Sequence, residues 1–380
     1  MSASVPHGSR VVFLSAYHDY RTAKRASIHQ VADGLMEAGC DVSFISTRFS
    51  RLSKRTADSR MFLWDRANRI EVVNGIKCYL WRTELHPFQS ERRWLNALTA
   101  RVYPAYAALP NAKFDQMLST ADFVIIESSV AAIYLRRIKR VNPTAKIIYY
   151  ATDRLDTVGA HPFIRYRLEL DADLINHCSL RSPKMVSDFR WAEGRLFRAE
   201  FGINRTEFEN VGPNPYIGSG LSAVSVGSML FDPSFITSVA RHFPDIHFHV
   251  IGCGTTFNAP QNVIIHPEMK FIDTLPYIKY ASIGLAPYRQ AEGVEYLAES
   301  SLKMAQYEYF GLPTVCPTFA VGDAKSRFGY QTDNAGSMVA AMSAARVAIG
   351  TIEKREFLSW REVGERILQP ELFPGLALSN

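Results

Sequence analysis

Short apolar segments alternate with stretches of helical periodicity along most of the chain. The apolar spacing of Ile28, Val31 and Leu35 predicts one of the helices. Continuous apolar strands that alternate with helices are typical of a parallel sheet with crossover helices, because both faces of such a sheet are buried. The strands predicted in the first half are Val11–Ser15, Asp41–Ser46, Lys77–Trp81, Phe123–Glu127, Lys146–Tyr150, Asp173–Cys178 and Leu196–Glu200.

A segment rich in Gly, Asn and Pro, at residues 202–220, interrupts this pattern and is typical of a linker. The alternation then resumes. The strands predicted in the second half are Ala223–Gly227, His247–Gly252, Val263–His266, Ile283–Pro287 and Pro313–Pro317. The helices predicted there are Ser234–His242, Thr274–Tyr280, Ser300–Phe310 and a last one within Phe357–Leu368.

The chain is therefore predicted to hold two doubly wound, Rossmann-like α/β domains separated by a cleft. The first spans residues 1–204, a linker follows at 205–220, and the second spans 221–355. The remaining segment, 356–380, is expected to contain a helix that packs back on the first domain. Doubly wound domains bind ligands beyond the carboxyl ends of their strands, so the cleft is the expected site.

Composition agrees with a globular protein that has no membrane-spanning helix. The 380 residues are 47% hydrophobic and 21% charged, which excludes extended disorder. No window approaches the ~18 uninterrupted apolar residues of a spanning helix, and the apolar run after the polar start is too short for a signal peptide. The five cysteines are far apart and form no Cys-x-x-Cys pair, which argues against a disulfide framework or a zinc site. We expect the protein to stay in the cytoplasm.

The segment richest in candidate chemistry is Tyr296–Pro317. Ser300 and Ser301 are placed to cap a helix, whose free N–H groups and positive dipole end suit an anion. Lys303, one turn further on, would add a full positive charge to a bound phosphate. An ordinary capped helix with a surface lysine would explain the same residues. The position after the strand Ile283–Pro287, in a second α/β domain, favours the phosphate site.

The same segment carries a resemblance to known enzymes. Lys303-x-x-Gln306-Tyr307, followed by Gly311-x-Pro313, resembles the donor-domain signature of GT-B glycosyltransferases, which usually has Glu in place of Gln306. Further motifs, in order from about residue 11 to 330, are similar to the GumK-like family of xanthan/acetan-type glucuronosyltransferases. They are His18-Asp19-x-Arg21, Tyr79-Leu80-Trp81-Arg82-Thr83, Val141-Asn142-Pro143, Val226-Gly227-Ser228-Met229-Leu230-Phe231-Asp232-Pro233, Ile283-Gly284-x-Ala286-Pro287-Tyr288, Ser300-Ser301-x-Lys303, Phe310-Gly311-Leu312-Pro313 and Lys325-Ser326-Arg327-Phe328-Gly329-Tyr330.

The resemblance implies an inverting, metal-independent enzyme that needs no cofactor. Such an enzyme moves glucuronate from UDP-glucuronate to a mannose-ended, polyprenyl-diphosphate-linked oligosaccharide in exopolysaccharide biosynthesis. It lies peripherally on the cytoplasmic face of the inner membrane. Lys303 would stabilise the departing diphosphate. The alternative interpretation of Tyr288 is a polar residue at the end of a strand, without a role in binding. Carried over by position, the donor site would consist of Met229, Glu268, Tyr288, Ser301, Lys303 and Gln306.

An inverting transfer needs one carboxylate that takes the proton of the attacking acceptor hydroxyl. Asp153 follows the predicted strand Lys146–Tyr150 and matches the catalytic aspartate of the family. Its alternative role is that of a helix N-cap. Asp156 remains a rival for the role of base. The family tends to have a small polar residue at that place and Gly in place of Arg154, so acceptor detail is open.

Basic residues cluster in the first third of the chain, although the net charge is only +6. Candidates for binding the acceptor diphosphate or lipid headgroups are Arg48, Arg51 and Lys54. Within Phe88–Tyr106, a predicted amphipathic helix, aromatic and basic residues suit the surface of an anionic membrane. A helix that merely covers its own domain would show the same pattern. The candidate membrane residues of this helix are Arg92, Arg93, Trp94 and Leu98.

Other features of the sequence bear on alternative functions. Asp171-Ala172-Asp173 has the Asp-x-Asp form of a metal site, but it is predicted to lie at the start of a buried strand, away from the ligand edge. Nucleic acid is not expected as a partner, because the basic residues are confined to the presumed acceptor end. The alternatives that remain are transfer of another UDP-sugar or to another acceptor, a UDP-sugar isomerase, and a membrane-associated UDP-sugar-binding protein without turnover.

Overall fold

The computed structural model describes residues 7–56, 58–90 and 92–379, except for the side chain of Arg93. The chain divides into two units, each with its own sheet. The first unit comprises Met1–Gly202 together with Leu358–Asn380, and the second comprises Ile203–Phe357. The division therefore falls just before the predicted linker, and the C-terminal segment belongs to the first unit.

The sheet of the first unit has eight strands within the described residues. They are β1 (Arg10–Ser15), β2 (Asp41–Phe49), β3 (Ile70–Val73), β4 (Ile76–Arg82), β5 (Phe123–Glu127), β6 (Lys146–Ala151), β7 (His177–Leu180) and β8 (Leu196–Arg198). Their order is β3-β4-β2-β1-β5-β6-β7-β8, with only the β3–β4 pair antiparallel. The order runs outward in both directions from β1 and β5, so these two neighbours form the switch point at which doubly wound sheets bind ligands.

Seven helices of the first unit precede the second unit in the described chain. They are α1 (Ser27–Glu37), α2 (Arg51–Arg55), α3 (Arg93–Thr99), α4 (Val102–Ala108), α5 (Ala112–Ser119), α6 (Leu135–Val141) and α7 (Pro162–Leu170). The predicted strand Asp173–Cys178 is wrong, because Ala172–Leu174 forms a short 3₁₀ turn and β7 begins only at His177. The turn forms because the N–H of Leu174 donates to the carbonyl oxygen of Asp171 at 3.0 Å.

The second unit carries a six-stranded parallel sheet. Its elements, with the strand that leads into it, are β9 (Gly202–Ile203), α8 (Arg205–Glu209), β10 (Leu221–Val226), α9 (Pro233–His242), β11 (Ile246–Ile251), β12 (Val263–His266), α10 (Phe271–Lys279), β13 (Ile283–Leu285), α11 (Leu297–Ser300), α12 (Leu302–Phe310), β14 (Thr314–Pro317), β15 (Arg327–Tyr330) and α13 (Ala335–Val347). The strand order is β12-β11-β10-β13-β14-β15, so the switch point lies between β10 and β13. The start of the predicted linker is helical, because α8 occupies it with Asn204 as its N-cap.

The chain ends on the first unit with β16 (Leu358–Ser359) and α14 (Trp360–Leu368). Helix α14 packs against α1 at very close range. A Cβ atom at Gly34 would lie 2.3 Å from the carbonyl carbon of Trp360, and one at Gly364 would lie 2.8 Å from Cδ2 of Leu35. Only glycine permits this approach at either position. None of the helices in the described residues has the length and apolarity that a bilayer crossing requires.

Candidate active site

The donor-side residues predicted from the sequence lie at the switch point of the second sheet. The loop after β10 is joined to the segment after β13 by an antiparallel bridge between Phe231 and Tyr288. Next to it, the N–H of Arg289 donates to the carbonyl oxygen of Leu230 at 2.7 Å. Leu230 adopts a left-handed backbone conformation with φ of 48°. This turn presents Met229, which is 39% exposed, on the same edge as Tyr288.

Tyr288 and Ser301 connect this edge to helix α12. The Tyr288 hydroxyl lies 2.6 Å from Oγ of Ser301, and the same Oγ accepts the N–H of Met304 at 3.3 Å. Ser301 has an extended backbone that separates α11 from α12 and is the N-cap of α12, so the predicted capping role of Ser301 is confirmed, while the predicted helix Ser300–Phe310 begins only at Leu302. The break leaves the first N–H groups of α12 without carbonyl partners of their own helix, as an anion site requires.

Lys303 and Gln306 follow on the first turns of α12. The Lys303 ammonium lies 5.0 Å from the centre of the Tyr288 ring, a cation–π distance that holds the charge at the ligand edge. Gln306 is buried. The hydroxyl of Ser300 is also buried, and it has no hydrogen-bond partner among the described residues. Polar groups in this state are available to a bound ligand.

The second half of α12 is fixed by a buried ion pair that the sequence analysis did not single out. Nε of Arg327 lies 2.9 Å from Oε1 of Glu308, and these two side chains are 7% and 5% exposed. Nη1 of Arg327 also donates to the carbonyl oxygen of Ala298, on α11, and to that of Val321 at 3.1 Å. Arg355 completes the cluster at 2.9 Å from Oε2 of Glu308. Arg327 therefore ties α11, α12 and β15 together below the break at Ser301.

Glu268 lines a cavity of about 600 Å³ beyond the ends of β11 and β12. The loop Gly252–Thr256 forms the other wall. A Cβ atom at Gly254 would lie 2.9 Å from Cβ of Ser228, so this wall touches the residue before Met229. The structure thus brings Met229, Tyr288, Ser301 and Lys303 together, with Glu268 on the adjoining cavity and Gln306 one helical turn beyond Ser301.

The candidate base Asp153 lies in the loop after β6 of the first unit and is half-buried. Its neighbours are held by separate ion pairs. Arg154 pairs with Asp188 at 2.6 Å, and the rival base Asp156 pairs with Arg165 at 2.6 Å. The Asp156 side chain is 73% exposed.

Glu127 and His18 lie at the switch point of the first sheet, and the sequence analysis gave neither residue a role. Glu127 ends β5 and is 4% exposed. Its Oε2 accepts the hydroxyl of Ser15, the last residue of β1, and its Oε1 lies 3.4 Å from Nε2 of His18. Backbone N–H groups of Tyr17 and His18 donate to Oγ of Ser15 at 3.2 and 3.0 Å. The apolar run Phe123–Ile126 that ends in a glutamate was the signal for a functional residue here.

Burial and the neighbouring charges shift both titratable groups of this pair. Burial raises the pKa of Glu127 to about 8, opposed by the hydrogen bond from Ser15 and assisted by the charge of Asp153. Burial lowers the pKa of His18 to about 4, opposed by Asp153 and assisted by Arg60. Both shifts therefore favour the uncharged form of the group.

The predicted acceptor-side residues of β2 and α2 differ in their surroundings. Arg48 lies in β2 with φ of 54°, and its guanidinium covers the ring of Tyr17 at 5.4 Å. It stands at the carboxyl edge, close to the Glu127 pair. Arg51 is exposed and lies 3.4 Å from Glu84, while the Lys54 ammonium lies 4.1 Å from the Trp64 ring.

The predicted amphipathic helix over Phe88–Tyr106 is wrong as a single element, because the chain forms α3 and α4 instead. Arg92, Trp94 and Leu98 are exposed, with Trp94 at 62% and Leu98 at 55%. Tyr106 is fully buried and belongs to the core rather than to their face. The side chain of Arg93 lies outside the described part of the chain.

In the Asp171-Ala172-Asp173 motif, the first aspartate is paired with arginines. Asp171 is buried, pairs with Arg136 at 2.8 Å and forms a second ion pair with Arg167. In the residues that the structure describes, no group of three His, Cys, Asp or Glu side chains could hold a metal ion.

Comparison with known proteins identifies the family. Residues 13–181 match the family model described as Glucuronosyltransferase GumK, N-terminal domain. Over 359 residues the chain is 39% identical to the UDP-glucuronate:glycolipid 2-beta-glucuronosyltransferase of Xanthomonas campestris pv. campestris, covering 94% of this chain and 89% of that protein. The chain belongs to the GumK glucuronosyltransferase family. Membership in the GumK family confirms the prediction of a glycosyltransferase and argues against an isomerase or a binding protein without turnover.

Solved structures establish the fold of this GumK-family chain. The apo structure of OtsA matches with a TM-score of 0.58 at 10% identity, covering 95% of this chain and 99% of that one. An α-glucosyltransferase in complex with UDP-glucose and DNA matches with a TM-score of 0.52 at 8% identity, covering 98% and 96%. These likenesses confirm the predicted GT-B fold.

Proposed function

We propose that this protein transfers glucuronate from UDP-glucuronate to a mannose-ended oligosaccharide linked to polyprenyl diphosphate, with inversion and without a metal ion. The observation that carries the proposal is the 39% identity, over 94% of the chain, to an enzyme named for UDP-glucuronate and a glycolipid. The arrangement of polar groups at the two switch points supports it.

In the proposed donor complex the diphosphate of UDP lies at the break between α11 and α12. The free N–H groups of α12 and the Lys303 ammonium face it. The contact between the hydroxyls of Ser301 and Tyr288 fixes the start of α12 against the segment after β13. The nucleoside occupies the side of Met229 and the Glu268 cavity. When the bond between the sugar C1 and the phosphate oxygen breaks, the negative charge that develops on UDP is stabilised by Lys303 and the helix amides.

In the proposed transfer Asp153 acts as general base. The acceptor hydroxyl oxygen attacks C1 from the face opposite UDP, and Asp153 takes the hydroxyl proton as the new glycosidic bond forms. Asp156 is a weaker candidate, because its carboxylate is largely exposed and already paired with Arg165. Arg48, at the same edge, carries the charge that suits the acceptor diphosphate.

The acceptor carries a lipid, so the first unit is proposed to dock on the cytoplasmic face of the inner membrane. Trp94, Leu98 and Arg92 are exposed and suit an anionic lipid surface. The aromatic and aliphatic side chains suit the membrane interface, and the cation suits the anionic headgroups. Arg51 and Lys54 would add charge to this surface.

The experiment is transfer from a panel of UDP-sugars onto a mannose-ended polyprenyl-diphosphate glycolipid, with Asp153→Asn and Asp156→Asn in parallel. We expect product from UDP-glucuronate only, a loss of about 10²- to 10⁴-fold in Asp153→Asn, and near-normal activity in Asp156→Asn. Binding of UDP should be equal in all three proteins. Product from another UDP-sugar would contradict UDP-glucuronate as the specific donor. Full activity of Asp153→Asn would contradict Asp153 as the base.

The same assay with EDTA tests the absence of a metal requirement. We expect unchanged turnover, and a requirement for added Mn²⁺ would contradict the proposal.

A further inference from the structure

Glu127 is a buried acid at the switch point of the first sheet, and the transfer described above gives it no task. Both oxygens of Glu127 have defined neighbours. Oε2 accepts the hydroxyl of Ser15, because Oγ of Ser15 is already occupied as acceptor of two backbone N–H groups and has only its own hydrogen to donate. A proton on Glu127 must therefore sit on Oε1, which faces Nε2 of His18 at 3.4 Å.

The 3.4 Å contact between Oε1 of Glu127 and Nε2 of His18 relates the proton on Glu127 to the tautomer of His18. If Oε1 of Glu127 carries the proton, Nε2 of the neutral imidazole is the acceptor and its hydrogen must be on Nδ1. In the described part of the chain, Nδ1 of His18 has no hydrogen-bond partner, and the side chain is 35% exposed. The Nδ1–H group is thus available to a ligand at the edge that also carries Asp153.

We propose that Glu127 is a positioning residue that holds His18 as its Nδ1–H tautomer, and that this N–H donates to the oxygen of the attacking acceptor hydroxyl. The inference rests on the proposed function, with Asp153 as the base. A donor on the hydroxyl oxygen leaves the hydroxyl hydrogen to point at Asp153, so the hydroxyl is oriented for proton transfer.

Ionisation of Glu127 reverses the arrangement. The ionised carboxylate has only acceptor oxygens, so Nε2 of His18 becomes the donor and Nδ1 becomes an acceptor. One proton passes from Glu127 to solvent, and the ring exchanges its Nδ1 hydrogen for one on Nε2, so the imidazole stays neutral. The raised pKa of Glu127, about 8, places this change just above neutral pH.

Charged and titratable groups face the pair from every neighbouring element. The negative charge of Asp153 favours the protonated form of Glu127, whereas the cations oppose protonation of His18. Among the described residues these groups are Tyr17, Lys24, His29, Arg48, Arg60, Tyr149, Tyr150 and Asp153.

The first test is the pH profile of transfer in Glu127→Gln. A glutamine amide copies the protonated acid, since its oxygen accepts from Ser15 and its NH₂ donates to Nε2 of His18. For the native protein we expect kcat/KM for the acceptor to fall about tenfold per pH unit above pH 8, with KM for UDP-glucuronate little changed. In Glu127→Gln this alkaline fall should be absent, and the rate at pH 7 should stay within about tenfold of the native one.

A matched control and a spectroscopic readout separate positioning from a structural role. Glu37→Gln removes another glutamate of raised pKa from the first unit and should keep the native profile. Ring-¹⁵N histidine spectra of the native protein, with His18 assigned by the loss of its signals in His18→Gln, should show protonated Nδ1 at pH 7 and protonated Nε2 at pH 9. This arm needs no Glu127 variant, so it holds even if Glu127→Gln fails to fold.

Each outcome decides one of the two proposals. Protonated Nε2 at pH 7, a native profile without an alkaline fall, or an alkaline fall that persists in Glu127→Gln would overturn the inference. Inactive but folded Glu127→Gln would also overturn it, because the carboxylate itself would then be needed. Full activity of Asp153→Asn would instead overturn the proposed base, whatever the behaviour of Glu127→Gln.

Discussion

The hydroxyl groups of Tyr288 and Ser301 lie 2.6 Å apart and join two segments of the second unit that meet at its switch point. Tyr288 follows β13, while Ser301 begins α12, so this contact connects the end of a strand to the start of a helix. Because both residues are buried, this junction between the end of β13 and the start of α12 is already formed without a ligand.

Lys303→Ala should weaken binding of UDP, because a charge-assisted contact to phosphate is worth about 1.5–3 kcal/mol, or roughly 10- to 150-fold in Kd. Titration calorimetry with UDP measures the change. Lys279→Ala is the control, since it removes the same charge from the C-terminal end of α10 and should leave Kd unaltered. Equal affinities of the native protein and Lys303→Ala would exclude Lys303 from the diphosphate site.

Arg327→Ala should destabilise the second unit by about 3–5 kcal/mol, because it leaves the buried carboxylate of Glu308 short of a partner. Arg346→Ala is the matched control. It breaks an exposed pair with Asp245, 2.6 Å apart, and such pairs contribute at most about 1 kcal/mol.

Tryptophan fluorescence provides an internal reference for that experiment. All five tryptophans lie outside residues 203–357, so their emission follows unfolding of the first unit. Urea denaturation should show an early transition by circular dichroism in Arg327→Ala while the fluorescence transition stays in place. A shift of both transitions together would show that the effect is not confined to the second unit.

Trp94→Ala combined with Leu98→Ala should reduce flotation with anionic liposomes. Each side chain contributes about 1.5–3 kcal/mol when its apolar surface leaves water, so the double variant should bind at least tenfold more weakly. Val347→Ser, at a position that is 84% exposed in the second unit, is the control for loss of an exposed apolar side chain. Unchanged flotation of the double variant would move the membrane contact elsewhere.

The free energy of unfolding of the first unit should depend on pH through Glu127. Its pKa rises from 4.5 in the unfolded chain to about 8 in the folded one, so the folded state holds a proton that the unfolded chain releases. This stabilisation is complete below pH 4.5 and is lost as the pH rises to about 8.

Glu127→Gln should remove that dependence. Urea titrations at pH 5 and pH 8, followed by tryptophan fluorescence, measure the difference between the variant and the native protein. His18 works in the opposite direction in both proteins, since its lowered pKa costs stability as the pH falls, and it therefore largely cancels in the comparison. Glu84→Gln, with a side chain that is 80% exposed, should behave like the native protein.

Much of the fold could be predicted from periodicity, because buried parallel strands are apolar throughout and stand out from the helices between them. The hairpin of β3 and β4 was missed although its signal was present. Asn74-Gly75 forms the turn with φ of 50° and 82°, as a two-residue hairpin requires. The break at Ser301 was predicted only in part, because the two serines indicated the start of α12 but nothing indicated the short helix α11 that precedes it.

The candidate sites were only partly accessible from the sequence. Motifs identified Tyr288, Ser301 and Lys303, which the structure brings together. Glu127 and Arg327 were given no role, because their importance depends on what lies beside them. The strand order that places β1 next to β5 is not encoded in any local pattern, and neither is the meeting of Arg327 with α11.

The return of α14 to α1 has a consequence for the synthesis of the protein. Residues 203–357 form one uninterrupted stretch, whereas the first unit is assembled from both ends of the chain. The ribosome therefore synthesises the whole second unit before the partner of Gly34 is made. A nascent chain halted near residue 357 would carry an unfinished first unit, with the surface of α1 around Gly34 uncovered and available to chaperones.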